Sequence, residues 1–175
     1  MTTKVEIRAA VLTVSDRSAR GEREDESGPL LAELLREAGA TVVAREVVSD
    51  ELEPLTAKLR ETADRPDVNL VITTGGTGLS PRDNTPEATR AVLEREVPGI
   101  PEAMRAGTLG QTPTAALSRA VCGTRSGALL VNLPGSPKGV GECFAVIRPV
   151  LAHAVAQLAG RDHGEKGFDN AGGAA

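Results

Sequence analysis

Tryptophan and tyrosine are missing from this chain, and Phe144 and Phe168 are its only aromatic side chains. Binders of single-stranded nucleic acid stack bases on aromatic platforms along basic grooves, and a formal net charge of −4 opposes such a partner as well. Nucleic acid is therefore not expected. No apolar run approaches the roughly 20 residues that span a bilayer, and Lys4, Glu6 and Arg8 interrupt the stretch a signal peptide would keep apolar. A cytoplasmic protein without a membrane partner is the expectation. Cysteine is scarce too: Cys122 and Cys143 stand at a spacing that fits no zinc or redox motif and make no disulfide framework, so both read as small core residues. His153 and His163 are too isolated to suggest a metal site, and His153 falls on a helical pattern where a packed or surface histidine is expected.

What the chain does have is aliphatic. Its 175 residues suffice for one α/β domain with a real core and are too few for two. Four β-rich apolar runs, Val5 to Val14, Thr41 to Val48, Leu70 to Thr73 and Ala128 to Leu133, are each followed by a helix-like segment. Pro29 to Ala38 has leucines at helical spacing and Gly39 as a stop; Glu51 to Ala63 follows Asp50, which with Glu53 has the spacing of a capping box. Pro86 to Glu96 follows Thr85 as an N-cap, and Val140 to Leu158 gathers Cys143, Phe144, Ile147, Leu151 and Val155 on one face, with Pro149 a point where it would kink. Between Gly99 and Gly127 the pattern breaks into short helical pieces whose order the sequence leaves open. Strand and helix alternate, and the strands are continuously apolar. Together these predict a doubly wound, three-layer α/β/α fold with a mostly parallel sheet. Residues 1–160 are expected to form the single domain, and 161–175, rich in Gly, Ala and charge, a mobile tail.

In such a sheet, ligands collect outside the carboxyl ends of the strands. Those exits are loaded here: Ser15, Asp16, Arg17 and Ser18; Ser49 and Asp50; Gly75, Gly76, Thr77 and Gly78 through Asp83; and LPGSPKG from Leu133 to Gly139. The opposite-edge loops REAGAT and RPDVN read as plain turns. The GGTG run lets backbone N–H groups approach a phosphate, or is simply a Gly-rich turn; it is neither a dinucleotide fingerprint nor a Walker loop. Asp50 is explained by helix capping alone, whereas Asp83, beside Arg82 and ahead of Thr85, has no evident structural duty.

TTGGTGLSPRDNTPEAT, the EVPGIPEAMR and LSRAVCG stretches, and LVNLPGSPKGVGEC, in this order, resemble the MogA and MoaB family of molybdenum-cofactor biosynthesis, whose fold also forms a domain of gephyrin. The resemblance runs from about Ala10 to Leu158; Asn84 stands where the family has a β-branched residue, and Ser136 sits at a variable position. It implies a molybdopterin adenylyltransferase that uses ATP and Mg²⁺, with Asp50 and Asp83 matching two essential, metal-holding aspartates. It places Thr74, Gly75, Gly76, Thr77, Gly78, Thr85, Glu87, Asp16, Ser27, Gly28, Ser118, Pro134, Gly135 and Ser136 in segments that line the substrate cleft. Arg82 either neutralises developing charge or is a solvated arginine. A homotrimer and hand-over of product to a MoeA-type insertase are further implications. The alternative is a non-catalytic molybdopterin-binding or scaffolding member; a MoeA-type insertase itself would need extra domains.

Overall fold

A computed structural model of the protein describes residues 5–160. The expected tail, with Phe168 and His163, lies outside the described residues. In chain order the elements are β1 (Arg8–Val14), α1 (Asp16–Ala19), α2 (Ser27–Glu37), β2 (Thr41–Val48), α3 (Leu52–Ala63), β3 (Leu70–Thr74), α4 (Thr85–Val92), β4 (Arg95–Glu96), α5 (Gly99–Thr108), a 3₁₀ turn (Pro113–Leu117), β5 (Cys122–Arg125), β6 (Ala128–Leu133) and α6 (Pro137–Leu158).

The six strands form one sheet in the order β2-β1-β3-β6-β5-β4. β1 pairs in parallel with both β2 and β3, and β3 with β6, while β5 and β4 add an antiparallel edge. Successive residues of a strand point to opposite faces, and here both faces are dry. On one side Ala9, Val11, Leu70, Ile72, Leu129 and Val131 pack with Leu31 and Leu35 of α2, Met104 of α5 and Phe144 and Ile147 of α6. On the other, Ala10, Leu12, Val71 and Leu130 pack with Leu55 and Leu59 of α3 and Ala88 and Val92 of α4. This is the doubly wound, mostly parallel architecture that the alternation of apolar runs predicts.

The differences have local causes. The helix predicted to reach Glu96 stops at Val92, and Arg95 and Glu96 instead pair with Thr124 and Gly123. Two strands were thus not foreseen, because β4 is only two residues long and β5 carries Gly123 and two polar residues. Pro149, the expected point of a kink, lies within α6 on its exposed face, and the helix runs on to Leu158. At 22 residues and with a mean hydropathy of 1.3 over its most apolar stretch, α6 has the length and composition of a bilayer span, contrary to the expectation that no run does. Its apolar side, however, is the core stripe packed on β6, α2 and α5. Cys122 and Cys143 are buried as expected, and burial pushes their thiols up to about 12 and about 11. His153 lies on the exposed side of α6.

Candidate active site

In the strand order, β1 and β3 are neighbours whose exits lead to opposite sides, α2 on one face and α4 on the other. This is a topological switch point, where the outward-splitting loops leave a crevice. The glycines make the crevice by close approach. A Cβ on Gly75 would sit 2.3 Å from the Val14 carbonyl oxygen, and one on Gly135 would sit 3.1 Å from the Gly75 Cα, so the loops after β1, β3 and β6 touch backbone to backbone. Gly75 and Gly76 take φ of +103° and +66°, which side chains other than glycine rarely adopt. The turn they make leaves the N–H groups of Gly76, Thr77 and Gly78 without an acceptor among the described residues. Underneath, the Gly75 N–H donates to the Leu133 carbonyl (3.1 Å) and the Thr74 hydroxyl to the Pro134 carbonyl (2.8 Å), fixing the turn to the exit of β6.

Two cavities open on this edge. The larger, about 550 Å³, is lined by Met104, Leu79, Leu117, Cys143 and Pro134 with Arg105, Ser118 and Glu142. The smaller, about 310 Å³, is polar, with Asp25, Ser27, Asp50 and Thr74 on its walls. They share Gly76, Asp83, Gly135 and Ser136, so a single partition of backbone and one carboxylate separates them.

Asp50 does not cap α3: Glu51 occupies the N-cap position and no side chain caps the helix. Instead the Asp16 N–H donates to Asp50 Oδ2 (2.8 Å) and the Asp50 N–H to Asp16 Oδ1 (2.9 Å), a reciprocal pair that ties the exits of β1 and β2 together. Asp50 Oδ1 faces Gly76, 3.2 Å from where a Cβ would stand. Asp83 has a structural partner after all, since Oδ2 accepts the Ser80 N–H (2.9 Å). Asn84, the departure from the family pattern, donates its side-chain amide to the Asp50 carbonyl (3.0 Å), a bond no β-branched aliphatic residue makes. The two aspartate-bearing loops are thereby joined.

Several expected cleft residues stand elsewhere. Thr85 is the first residue of α4 rather than its cap; it is fully buried, and its hydroxyl donates to the Gly75 carbonyl (2.8 Å). Glu87 lines neither cavity and pairs with Arg119. Gly28 lines neither cavity; a Cβ there would meet Thr13 Oγ1 at 2.3 Å and Asp25 Oδ2 at 2.4 Å, so its role is to let α2 close onto β1. Asp16 and Arg82 form an ion pair outside both cavities. Ser136 accepts the Gly139 N–H (3.1 Å) and caps α6 while facing both cavities. Missed by the sequence reading were Asp25, which accepts from the Thr13 hydroxyl (2.8 Å) and the Gly28 N–H (2.9 Å), and Arg105, Thr112 and Glu142 around the larger cavity. Asp25 precedes a helix start and so had a local signal; the others come from α5, α6 and the loop between α5 and the 3₁₀ turn, which only tertiary packing brings together.

The carboxylates feel one another. Burial raises Asp50 above the usual range, against the Asp16 N–H bond, and the charges of Asp16 and Asp83 push it further. Burial would raise Asp16 too, but the Asp50 N–H and the Arg82 guanidinium outweigh it and hold Asp16 below its ordinary value.

Residues 10–153 match the model of the family described as probable molybdopterin binding domain. The Thermus thermophilus molybdopterin biosynthesis enzyme MoaB superposes with a TM-score of 0.83 at 49% identity, covering 88% of this chain and 97% of that one. A molybdopterin adenylyltransferase of Helicobacter pylori is 40% identical over 156 residues, 88% of this chain and 89% of its own. The Drosophila molybdenum cofactor synthesis protein cinnamon is 45% identical over 146 residues, 83% of this chain, which spans only 24% of that longer protein. From fold, motif order and these likenesses together, the chain belongs to the MogA/MoaB family of molybdopterin-binding domains.

Proposed function

We propose that the protein is a molybdopterin adenylyltransferase, joining the terminal phosphate of molybdopterin to the AMP moiety of ATP with release of pyrophosphate. The observation that carries this reading is the pair of cavities divided only by Gly76, Asp83, Gly135 and Ser136. Their volumes of about 550 and 310 Å³ suit two small substrates meeting at a shared wall. The H. pylori relative, matched along most of both chains, carries that activity as its name.

The chemistry asks little of a base. A phosphate monoester, with a second pKa near 6, is mostly ionised at neutral pH and attacks the α-phosphorus of ATP as it stands. The obstacle is the approach of two anions. Against it the turn, opened by the positive φ of Gly75 and Gly76, offers the N–H groups of Gly76, Thr77 and Gly78, which have no acceptor among the described residues and are free to hold phosphate oxygens. Asp50 and Asp83 would hold Mg²⁺. No cluster of three or more acidic, His or Cys side chains forms a self-sufficient metal cage among the described residues, but Mg²⁺ needs only one or two carboxylates when substrate phosphates complete its shell. The raised Asp50 fits such a site, because a neighbouring cation offsets the burial that chiefly lifts it and the repulsion from Asp16 and Asp83. When bound, the ion would neutralise phosphate charge in the transition state. Every other contribution is positioning: the reciprocal Asp16–Asp50 bonds and the Asn84 amide fix both carboxylates relative to the glycine turn.

A homotrimer, and delivery of the adenylylated pterin to a MoeA-type insertase, belong to the same reading and rest on the family resemblance; sedimentation and a coupled insertion assay test them. The activity itself is tested by incubating the purified protein with molybdopterin, ATP and Mg²⁺. Adenylylated pterin and pyrophosphate should appear in equal amounts, and a folded protein that binds the pterin and yields neither product would refute the reading.

A further inference from the structure

We infer that Arg119, which lines neither cavity, is the positioning residue that holds the Asp83 loop in register with the glycine turn. The inference rests on the adenylyl-transfer reading for its kinetic consequence but not for its structural one. Between Gly78 and Asp83 the chain passes through Leu79, Ser80, Pro81 and Arg82, all exposed. The loop's internal ties are the Ser80 N–H to Asp83 Oδ2 and the Asp83 N–H to the Ser80 carbonyl, both 2.9 Å, with a longer bond from the Arg82 N–H to Ser80 Oγ (3.4 Å). These shape the loop from within, and the Arg82–Asp16 ion pair ties its middle to the exit of β1.

Arg119 supplies anchors at both feet. Its backbone N–H donates to the Thr77 carbonyl (2.9 Å), Nε to the Gly78 carbonyl (2.7 Å) and Nη2 to the Asp83 carbonyl (2.6 Å). Glu87, on the first turn of α4, accepts from the same guanidinium and pins its plane. One rigid fork thus spans the start of the loop, its end and the helix that follows. A guanidinium has the donors and fixed geometry for this, whereas an ammonium is a point donor that cannot satisfy the separated carbonyls at once. The arginine comes from the segment joining the 3₁₀ turn to β5, so the antiparallel edge of the sheet, remote in sequence, sets a carboxylate at its centre.

The test uses Arg119→Met, Arg119→Lys and, as a control, Arg125→Met. Arg125 makes a similar fork to Asp64 (2.9 and 2.9 Å) and the Val92 carbonyl (3.1 Å), far from the cleft. Amide hydrogen exchange is read first, since it needs no substrate. In Arg119→Met, residues 78–84 should exchange at least about tenfold faster while β3 and β6 keep their protection, with Arg119→Lys intermediate and Arg125→Met unchanged in that segment. Adenylyl transfer is read second. Arg119→Met should lose about 10²-fold in kcat, the scale of a misplacement near 1 Å, with KM for molybdopterin little changed. If Arg119→Met does not fold, Arg119→Lys is read in the same way. Unchanged exchange at 78–84, a general loosening like that of any destabilised variant, or selective loosening with full turnover would each overturn the proposal. Absence of turnover in the unmutated protein would refute adenylyl transfer instead, leaving the exchange result to decide whether Arg119 holds the loop.

Discussion

Replacing Gly76 by alanine adds one methyl group at the point where the glycine turn, Asp50 and α4 meet. At φ +66° an L residue costs about 1–2 kcal/mol. The new Cβ would also lie 2.3 Å from Thr85 Oγ1, so that hydroxyl must leave its bond to the Gly75 carbonyl, and an unsatisfied buried group costs about 1–3 kcal/mol. The sum, about 2–5 kcal/mol, corresponds to a fall in Tm of about 4–20 °C for a chain of this size. That is more than a free Gly-rich turn would lose, because Thr85 lies packed beneath it. Part of the penalty belongs to the clash alone, so Thr85→Ala should relieve it: with the hydroxyl gone the nearest Thr85 atom would be its Cβ, at 3.4 Å. Thermal melts of both single variants and the double variant give the coupling, expected at about 1 kcal/mol or more in the favourable direction. Turnover should stay low in the double variant, since the Cβ still presses on Asp50 Oδ1 at 3.2 Å. Additive losses with no coupling would refute the contact.

Asp83→Asn should remove most turnover with little change in Tm, because asparagine can keep an acceptor for the Ser80 N–H while losing the charge; undiminished turnover at saturating Mg²⁺ counts against a metal role. In the metal-free protein the Asp50 carboxyl should titrate above the ordinary aspartate range when followed by NMR, and Mg²⁺ added with nucleotide should bring it down; a titration that Mg²⁺ leaves in place counts against the metal role. Asn132→Ala should destabilise by at least about 2 kcal/mol by chemical denaturation: Asn132 is fully buried, its amide donates to the Thr73 (3.0 Å) and Thr89 (2.9 Å) hydroxyls and its oxygen accepts the Val121 N–H (3.1 Å), and truncation strands all three.

The central sheet was legible because β1, β3 and β6 are nearly continuous apolar runs, while β2 at the edge keeps enough valines to read as a strand despite Arg45 and Glu46; the edge of the site was legible because ligands gather where such strands end. Thr74 to Gly78, Asp50, Asp83, Ser27, Ser118 and Pro134 to Ser136 do converge on the two cavities. Local spacing misled where it competed with tertiary bonding. Asp50 and Glu53 have capping-box spacing, yet Asp50 turns to Asp16, 34 residues away in sequence. Thr85 looks like a cap because it precedes a proline, and folds inward to Gly75. Glu87 sits in a family motif but serves Arg119, and Arg119, though it falls in the LSRAVCG stretch, shows no role there because its partners are 32 to 42 residues away.

Asp50→Asn brings the account to one comparison of stability with turnover. Burial and the charges of Asp16 and Asp83 disfavour its ionised form, so the stability this group lends is present below its unfolded pKa and is lost as pH rises through the raised folded value. At neutral pH the charge therefore costs the fold, and neutral asparagine, still able to accept the Asp16 N–H, should melt at the same temperature or higher. If the carboxylate serves the chemistry, adenylyl transfer should collapse in that same stable protein. Tm and adenylylated-pterin formation measured side by side on one preparation at neutral pH decide it. A stable variant without turnover is the predicted result; a stable variant with full turnover, or one that loses both together, would contradict the claim that this cleft holds its aspartates for catalysis.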